Sequence, residues 1–144
     1  MTKMTQDEMN VFFEHHFKGR PKPWPHIAEV KEGFVKIELE TGIAQLRPGG
    51  FINGPTQMGL ADQAAYAVIF TLSGPIAMAM TSNLNIDFLR PCKGNKLIAE
   101  AEMIKLGRSL AVVSVTLKGN ENKQISSRAT VTYALPRERE RERE

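Results

Sequence analysis

Hydrophobic and polar positions change period several times along the chain, and each change marks an element. Between residues 5 and 17, Met9, Phe12, Phe13 and Phe17 recur at helical spacing, and Gln6, Asp7 and Glu8 suit a helix N-terminus. Three prolines make residues 19–25 a loop. From Phe34 the period falls to two. Val35, Ile37 and Leu39 alternate with Lys36, Glu38 and Glu40, which predicts a strand with one wet face. A second short strand is expected over 43–46, after a turn at Thr41-Gly42.

Arg47-Pro48-Gly49-Gly50 then interrupts the sheet pattern, and Pro55 suits the first position of a helix. That helix is expected over 55–72, stopping before Gly74-Pro75. Met58, Leu60, Ala61, Ala64, Ala65, Ala67, Val68, Ile69 and Phe70 occupy nearly every azimuth of it, and a helix apolar all round is a buried one. The rest of the chain reads as strand. Over 77–89, Met78, Met80, Leu84, Ile86 and Phe88 fall on one side, and Thr81, Asn83, Asn85 and Asp87 on the other. Residues 96–106 and 109–118 form a hairpin around Gly107-Arg108, and 124–134 is the final strand. One buried helix with an antiparallel sheet around it predicts an α+β domain.

Length and charge narrow the picture further. The chain has 144 residues and a formal net charge of +3. Residues 137–144 are a strict Arg-Glu alternation that contributes no net charge and holds nothing apolar to bury, so a disordered tail is expected after a single domain over 1–136. A small positive excess does not argue for nucleic acid. Cys92 is the only cysteine, which excludes a disulfide framework and a cysteine zinc site. The polar first ten residues lack a signal-peptide core, and no apolar run is long enough for a membrane helix, so a cytoplasmic protein with no membrane partner is expected.

Candidate chemistry converges on the buried helix. His15, His16 and His26 all precede it by many residues, so no local Ser-His-Asp or Cys-His pairing presents itself, and no metal site is expected. The pair His15-His16 reads as solvated helix surface. Asp62 is the only charged residue in the helix, and an ionised carboxylate there is costly unless hydrogen-bonded or functional. Glycines 49, 50 and 54 precede or open the helix, where first-turn N–H groups are unpaired at the positive end of the dipole. Such a terminus suits an oxygen gaining negative charge. Asp62 lies about two turns further on, too far to meet its own helix N-terminus closely. It can face the equivalent loop of a second subunit.

These residues carry a family resemblance. Residues 49–136 resemble the hotdog-fold acyl-CoA thioesterases of the phenylacetate-pathway type. That family's signature is His-Gly-Gly followed after six residues by Asp, usually as Leu-Ala-Asp. Asn53-Gly54-Pro55 and Leu60-Ala61-Asp62 match it at the same spacing. Leu84-Asn85-Ile86-Asp87-Phe88-Leu89-Arg90-Pro91 and the hairpin Leu106-Gly107-Arg108-Ser109-Leu110-Ala111 match in order behind it.

The resemblance implies a sheet wrapped around one long helix, assembled as a homodimer or homotetramer with active sites at the dimer interface. It implies that Asp62 is the catalytic nucleophile or the base acting on water. The Gly54 N–H polarises the thioester carbonyl, and Thr81 supplies a hydroxyl that orients water. Asn53 replaces the family's usual histidine; its amide can donate a hydrogen bond but cannot move a proton. Arg90, Lys93, Lys96 and Arg108, at strand ends and turns, are candidates for the phosphates of coenzyme A. Coenzyme A enters as part of the substrate, and no separate cofactor is expected. Plainer readings stay open beside these: Asp62 as a carboxylate binding backbone donors or a tyrosine across an interface, Asn53 as a turn residue, Thr81 as an ordinary strand residue, and Met58, Met78 and Met80 as core or acyl-pocket lining. The missing histidine keeps a non-catalytic acyl-CoA-binding or regulatory protein as the alternative. It argues against a hotdog dehydratase.

Overall fold

The computed structural model describes residues 1–17, 19 and 24–137. Most of the proline-bearing loop and nearly all of the Arg-Glu tail lie outside the described residues. Helix α1 (Gln6–His16) starts at a capping box, in which Thr5 Oγ1 accepts from the Glu8 N–H while the Glu8 carboxylate accepts from the Thr5 N–H. Strands β1 (His26–Lys31) and β2 (Phe34–Glu40) form a hairpin. Short strands β3 (Leu46–Arg47) and β4 (Phe51–Ile52) pair with each other and lead into helix α2 (Gly54–Ser73). Strands β5 (Met80–Phe88), β6 (Lys96–Leu106), β7 (Leu110–Gly119) and β8 (Ser127–Ala134) complete the chain.

Six strands make one antiparallel sheet in the order β1-β2-β6-β7-β8-β5, and α2 packs across one face of it. This is the hotdog fold. Alternation explains the layering. Val35, Ile37, Leu97, Val113, Val115, Leu117 and Val131 point at the helix and are buried, each such side chain contributing about 2 kcal/mol. Alanines 99, 101, 111 and 129 on the strands face a helix rich in alanine, so little side chain separates the two layers. The helix ends at Gly74, whose N–H bonds the Phe70 carbonyl at φ +75°, a conformation that favours glycine.

One expectation needs correction, and one element went unpredicted. Residues 43–45 form a 3-10 helix rather than a strand, and only Leu46–Arg47 pairs. The sequence pattern also missed β1, because a register shift between Ile27 and Glu29 breaks its alternation.

The two sheet edges are treated differently. Helix α1 lies along β1, where Gln6 and Asn10 donate to the Ile27 carbonyl and Asn10 accepts from the Ile27 N–H. Strand β5 is the opposite edge. Among the described residues it pairs only with β8, and most of its residues are exposed. Among the described residues no helix is long and apolar enough to cross a membrane.

Candidate active site

The first turn of α2 leaves one donor over. Asn53 is the N-cap, in extended conformation (φ −74°, ψ 161°), and its Oδ1 accepts from the Thr56 N–H at 2.8 Å. Its own N–H bonds the Gln45 carbonyl, the Gln57 N–H bonds the Asn53 carbonyl, and Pro55 has no N–H. The Gly54 N–H alone finds no acceptor among the described residues. It sits at the positive end of a 20-residue helix and lines a cavity of about 600 Å³. Capping consumes Asn53 Oδ1, while its amide N–H₂ has no protein acceptor among the described residues.

Below this loop a buried pair fixes its path. Gln57 Nε2 donates to the Ile52 carbonyl at 3.2 Å, and Ser127 Oγ donates to Gln57 Oε1 at 2.7 Å. Gly49 and Gly50, both at positive φ, turn the chain from β3 into β4.

Asp62 lies two turns along α2 and lines a second cavity of about 420 Å³ with Phe13, Phe17, Gln63, Tyr66 and Tyr133 among its walls. Thr81 Oγ1 donates to Asp62 Oδ1 at 2.6 Å, and Tyr133 Oη donates to the same oxygen at 2.9 Å. Desolvation of the phenol, with the Asp62 charge beside it, pushes the Tyr133 pKa well above its ordinary value, so the hydroxyl keeps its proton and serves as a hydrogen-bond donor.

A bulge is what aims Thr81. Leu84 and Ile86 pair with Val131 and Ala129 and face the helix. Strict alternation puts Thr81 on the opposite face. The register shifts between Thr81 and Asn83, leaving Ser82 as the extra residue and Thr81 opposite Tyr133. A regular ladder would place the Ser82 hydroxyl there instead. Thr81→Val is therefore expected to cut turnover about tenfold, whereas Ser82→Ala leaves it within about twofold; steady-state kinetics of both variants checks this, and equal effects would contradict the bulge register.

Gly54 and Asp62 do not meet within one chain. Gly54 lines the first cavity and Asp62 the second, and their backbones are separated by about 12 Å of helix. Gln63, next to Asp62, has a buried Oε1 with no donor among the described residues.

A family model described as the thioesterase superfamily matches residues 49–126, more than half of the chain. The chain belongs to the thioesterase superfamily. A solved putative thioesterase from Silicibacter sp. TM1040 is 31% identical, covers 94% of this chain and of its own, and superposes with a TM-score of 0.82. A putative esterase of Thermoplasma acidophilum is 27% identical over 112 residues, spanning 77% of this chain and 83% of its own. The medium/long-chain acyl-CoA thioesterase YigI of Salmonella typhimurium is 38% identical over 55 residues, which is 38% of this chain and 35% of its own.

Within this thioesterase the four basic residues named from the sequence separate. Arg90 and Lys93 line a third cavity of about 490 Å³ together with Lys123, and Arg90 with Arg47 also lines the Gly54 cavity. Asn122 bonds Lys93, Gly119 and Pro91, and Asn120 bonds Asn95, which joins the two loops that carry these cations. Lys96 instead lies 3.6 Å from Glu38 on the outer face of the sheet. Arg108 occupies the β6–β7 turn at the other end of these strands.

Met58, Met78 and Met80 are exposed rather than core, and Met80 lines the Asp62 cavity. Cys92 lines the Gly54 cavity, but burial pushes its thiol pKa up, away from nucleophilic use. Among the described residues no three His, Cys, Asp or Glu side chains gather as a metal site.

Sequence reasoning did not single out Tyr133, Gln57, Ser127, Arg47 or Lys123. For Tyr133 a signal existed, since it is a tyrosine on the inward phase of a strand otherwise filled by Ala129 and Val131.

Proposed function

We propose that this thioesterase hydrolyses an acyl-CoA thioester to a free carboxylic acid and coenzyme A, at sites shared between two copies of the chain. One observation carries the reading: the Gly54 N–H is the single first-turn donor of α2 with no acceptor among the described residues, and it opens into a cavity. The thioester carbonyl oxygen takes that bond, with the Asn53 amide as a second donor, and gains stabilisation as its charge develops. Asp62 either attacks the carbonyl carbon or takes a proton from the attacking water. The leaving thiolate has a pKa near ~8.5, so the absence of a histidine acid at residue 53 costs little.

Three features support sharing between copies. Gly54 and Asp62 line different cavities. The β5 edge is open, and Met58, Met80, Phe88 and Leu89 are exposed around it and the start of α2. Gln63 Oε1 awaits a donor beside Asp62. An antiparallel pairing of two β5 edges brings one chain's Gly54 toward its partner's Asp62. Arg47, Arg90, Lys93 and Lys123 then provide an anionic-ligand rim for the coenzyme A phosphates, and a homodimer or a dimer of such dimers is the assembly. The acyl-CoA in the name of the Salmonella relative points to the same substrate class.

The test is thiol release from a panel of acyl- and aryl-CoA thioesters, run beside oxygen esters of the same acids. Faster cleavage of CoA thioesters supports the reading. Binding of acyl-CoA by calorimetry without thiol release would instead establish the non-catalytic binding protein, which Asn53 in place of histidine favours.

A further inference from the structure

The geometry points to Tyr133 as a positioning residue that, with Thr81, ties down one carboxylate oxygen of Asp62 and leaves Oδ2 as the only reactive oxygen. This rests on the acyl-CoA hydrolase reading and deepens it. Both hydroxyls converge on Oδ1, at 2.6 Å from Thr81 and 2.9 Å from Tyr133. No donor to Oδ2 is found among the described residues. Tyr133 Oη is also 3.0 Å from the Asp62 backbone carbonyl, so the phenol addresses the side chain and main chain of the same residue.

The anchor is rigid on the strand side. Tyr133 is only 4% exposed and pairs directly across the ladder with Thr81. Its ring packs at 5.8 Å from Tyr66, whose hydroxyl is itself held by the Ala77 carbonyl at 2.9 Å. An exposed aspartate explores rotations about its Cβ–Cγ bond, and its two oxygens exchange. Two hydroxyls on one oxygen stop that exchange. With Oδ1 held by two donors and Asp62 lining the cavity, Oδ2, which has no donor among the described residues, is the oxygen left to meet the thioester carbonyl or the attacking water. Tyr133 never touches the reacting atoms; it acts through Asp62.

The experiment compares Tyr133→Phe with Asp62→Asn and native protein in steady-state acyl-CoA hydrolysis, with thermal melts of all three. Phenylalanine keeps the ring and its packing, so the variant folds. The expected result is a fall in kcat of about 10- to 100-fold with KM held within about twofold. In a double-mutant cycle the Thr81→Val and Tyr133→Phe losses are non-additive, because both bonds end on one oxygen. A Tyr133→Phe enzyme with native kcat beside an inactive Asp62→Asn enzyme overturns the positioning role and leaves the hydrolase reading standing. A loss confined to KM, or one matched by a lowered melting temperature, overturns it too by making the tyrosine a binding or merely structural group. Full activity in Asp62→Asn overturns the hydrolase mechanism itself and the inference with it.

Discussion

Asp62→Asn is expected to lower kcat for acyl-CoA hydrolysis by at least about a thousandfold, equivalent to about 4 kcal/mol of transition-state stabilisation, while leaving the melting temperature close to native. Asparagine keeps the size of the side chain, and its Oδ1 still accepts from Thr81 and Tyr133. What disappears is the charge and the lone pair that attacks carbon or takes a proton. Because the geometry survives, the loss reads on chemistry and not on folding. Circular dichroism and thermal melting of the variant, alongside thiol release, make that separation. Turnover within tenfold of native would remove Asp62 from the reaction.

The second large effect comes from an atom too small to replace by ordinary substitution. Gly54→Pro replaces the N–H with the ring Cδ and leaves the backbone path intact: proline is favoured in the first turn of a helix, and the extended Asn53 (ψ 161°) already has the conformation that a following proline requires. A Cβ on residue 54 comes within 3.2 Å of Phe88 Cζ, and Phe88 is exposed enough to give way. Gly54→Ala carries the same Cβ and keeps the N–H, so it is the steric control. Proline is expected to cost about 10²–10³ in kcat, as loss of one oxyanion donor does, and alanine much less. The two inactive variants also test sharing. Mixed and allowed to exchange subunits, Asp62→Asn and Gly54→Pro protomers form dimers with one intact site, and about a quarter of native activity returns. If each chain carries a whole site, mixing restores nothing.

The sequence made different parts of this site legible to different degrees. Asp62 stood out because an all-round apolar helix carries no other charge, and the helix start was plain from Asn-Gly-Pro. Both readings are local, within one turn or one helix. The long strands were legible for the same reason, since alternation is written over neighbouring residues. Thr81 was named on resemblance, but strict alternation assigned it to the wrong face, because a bulge at Ser82 leaves no mark in a pattern of hydrophobic residues. Strand β1 escaped notice for the same cause, a shift after Ile27. Tyr133 reaches Asp62 from 71 residues away, and only the sheet register brings them together. The basic residues illustrate the limit from the other side: turn position alone does not separate Lys93, which lines a cavity, from Lys96, which pairs with Glu38 on the far face.

The unequal treatment of the two sheet edges has a consequence for how far association can run. With α1 side chains holding the N–H and C=O of Ile27 on β1, strand addition at that flank is obstructed at Ile27. Among the described residues β5 is the edge left open, and under the proposed twofold pairing that edge is used up by the joining. In that proposed assembly growth by addition at β5 stops at a pair, and the exposed length of β5 is not left as a template for fibres.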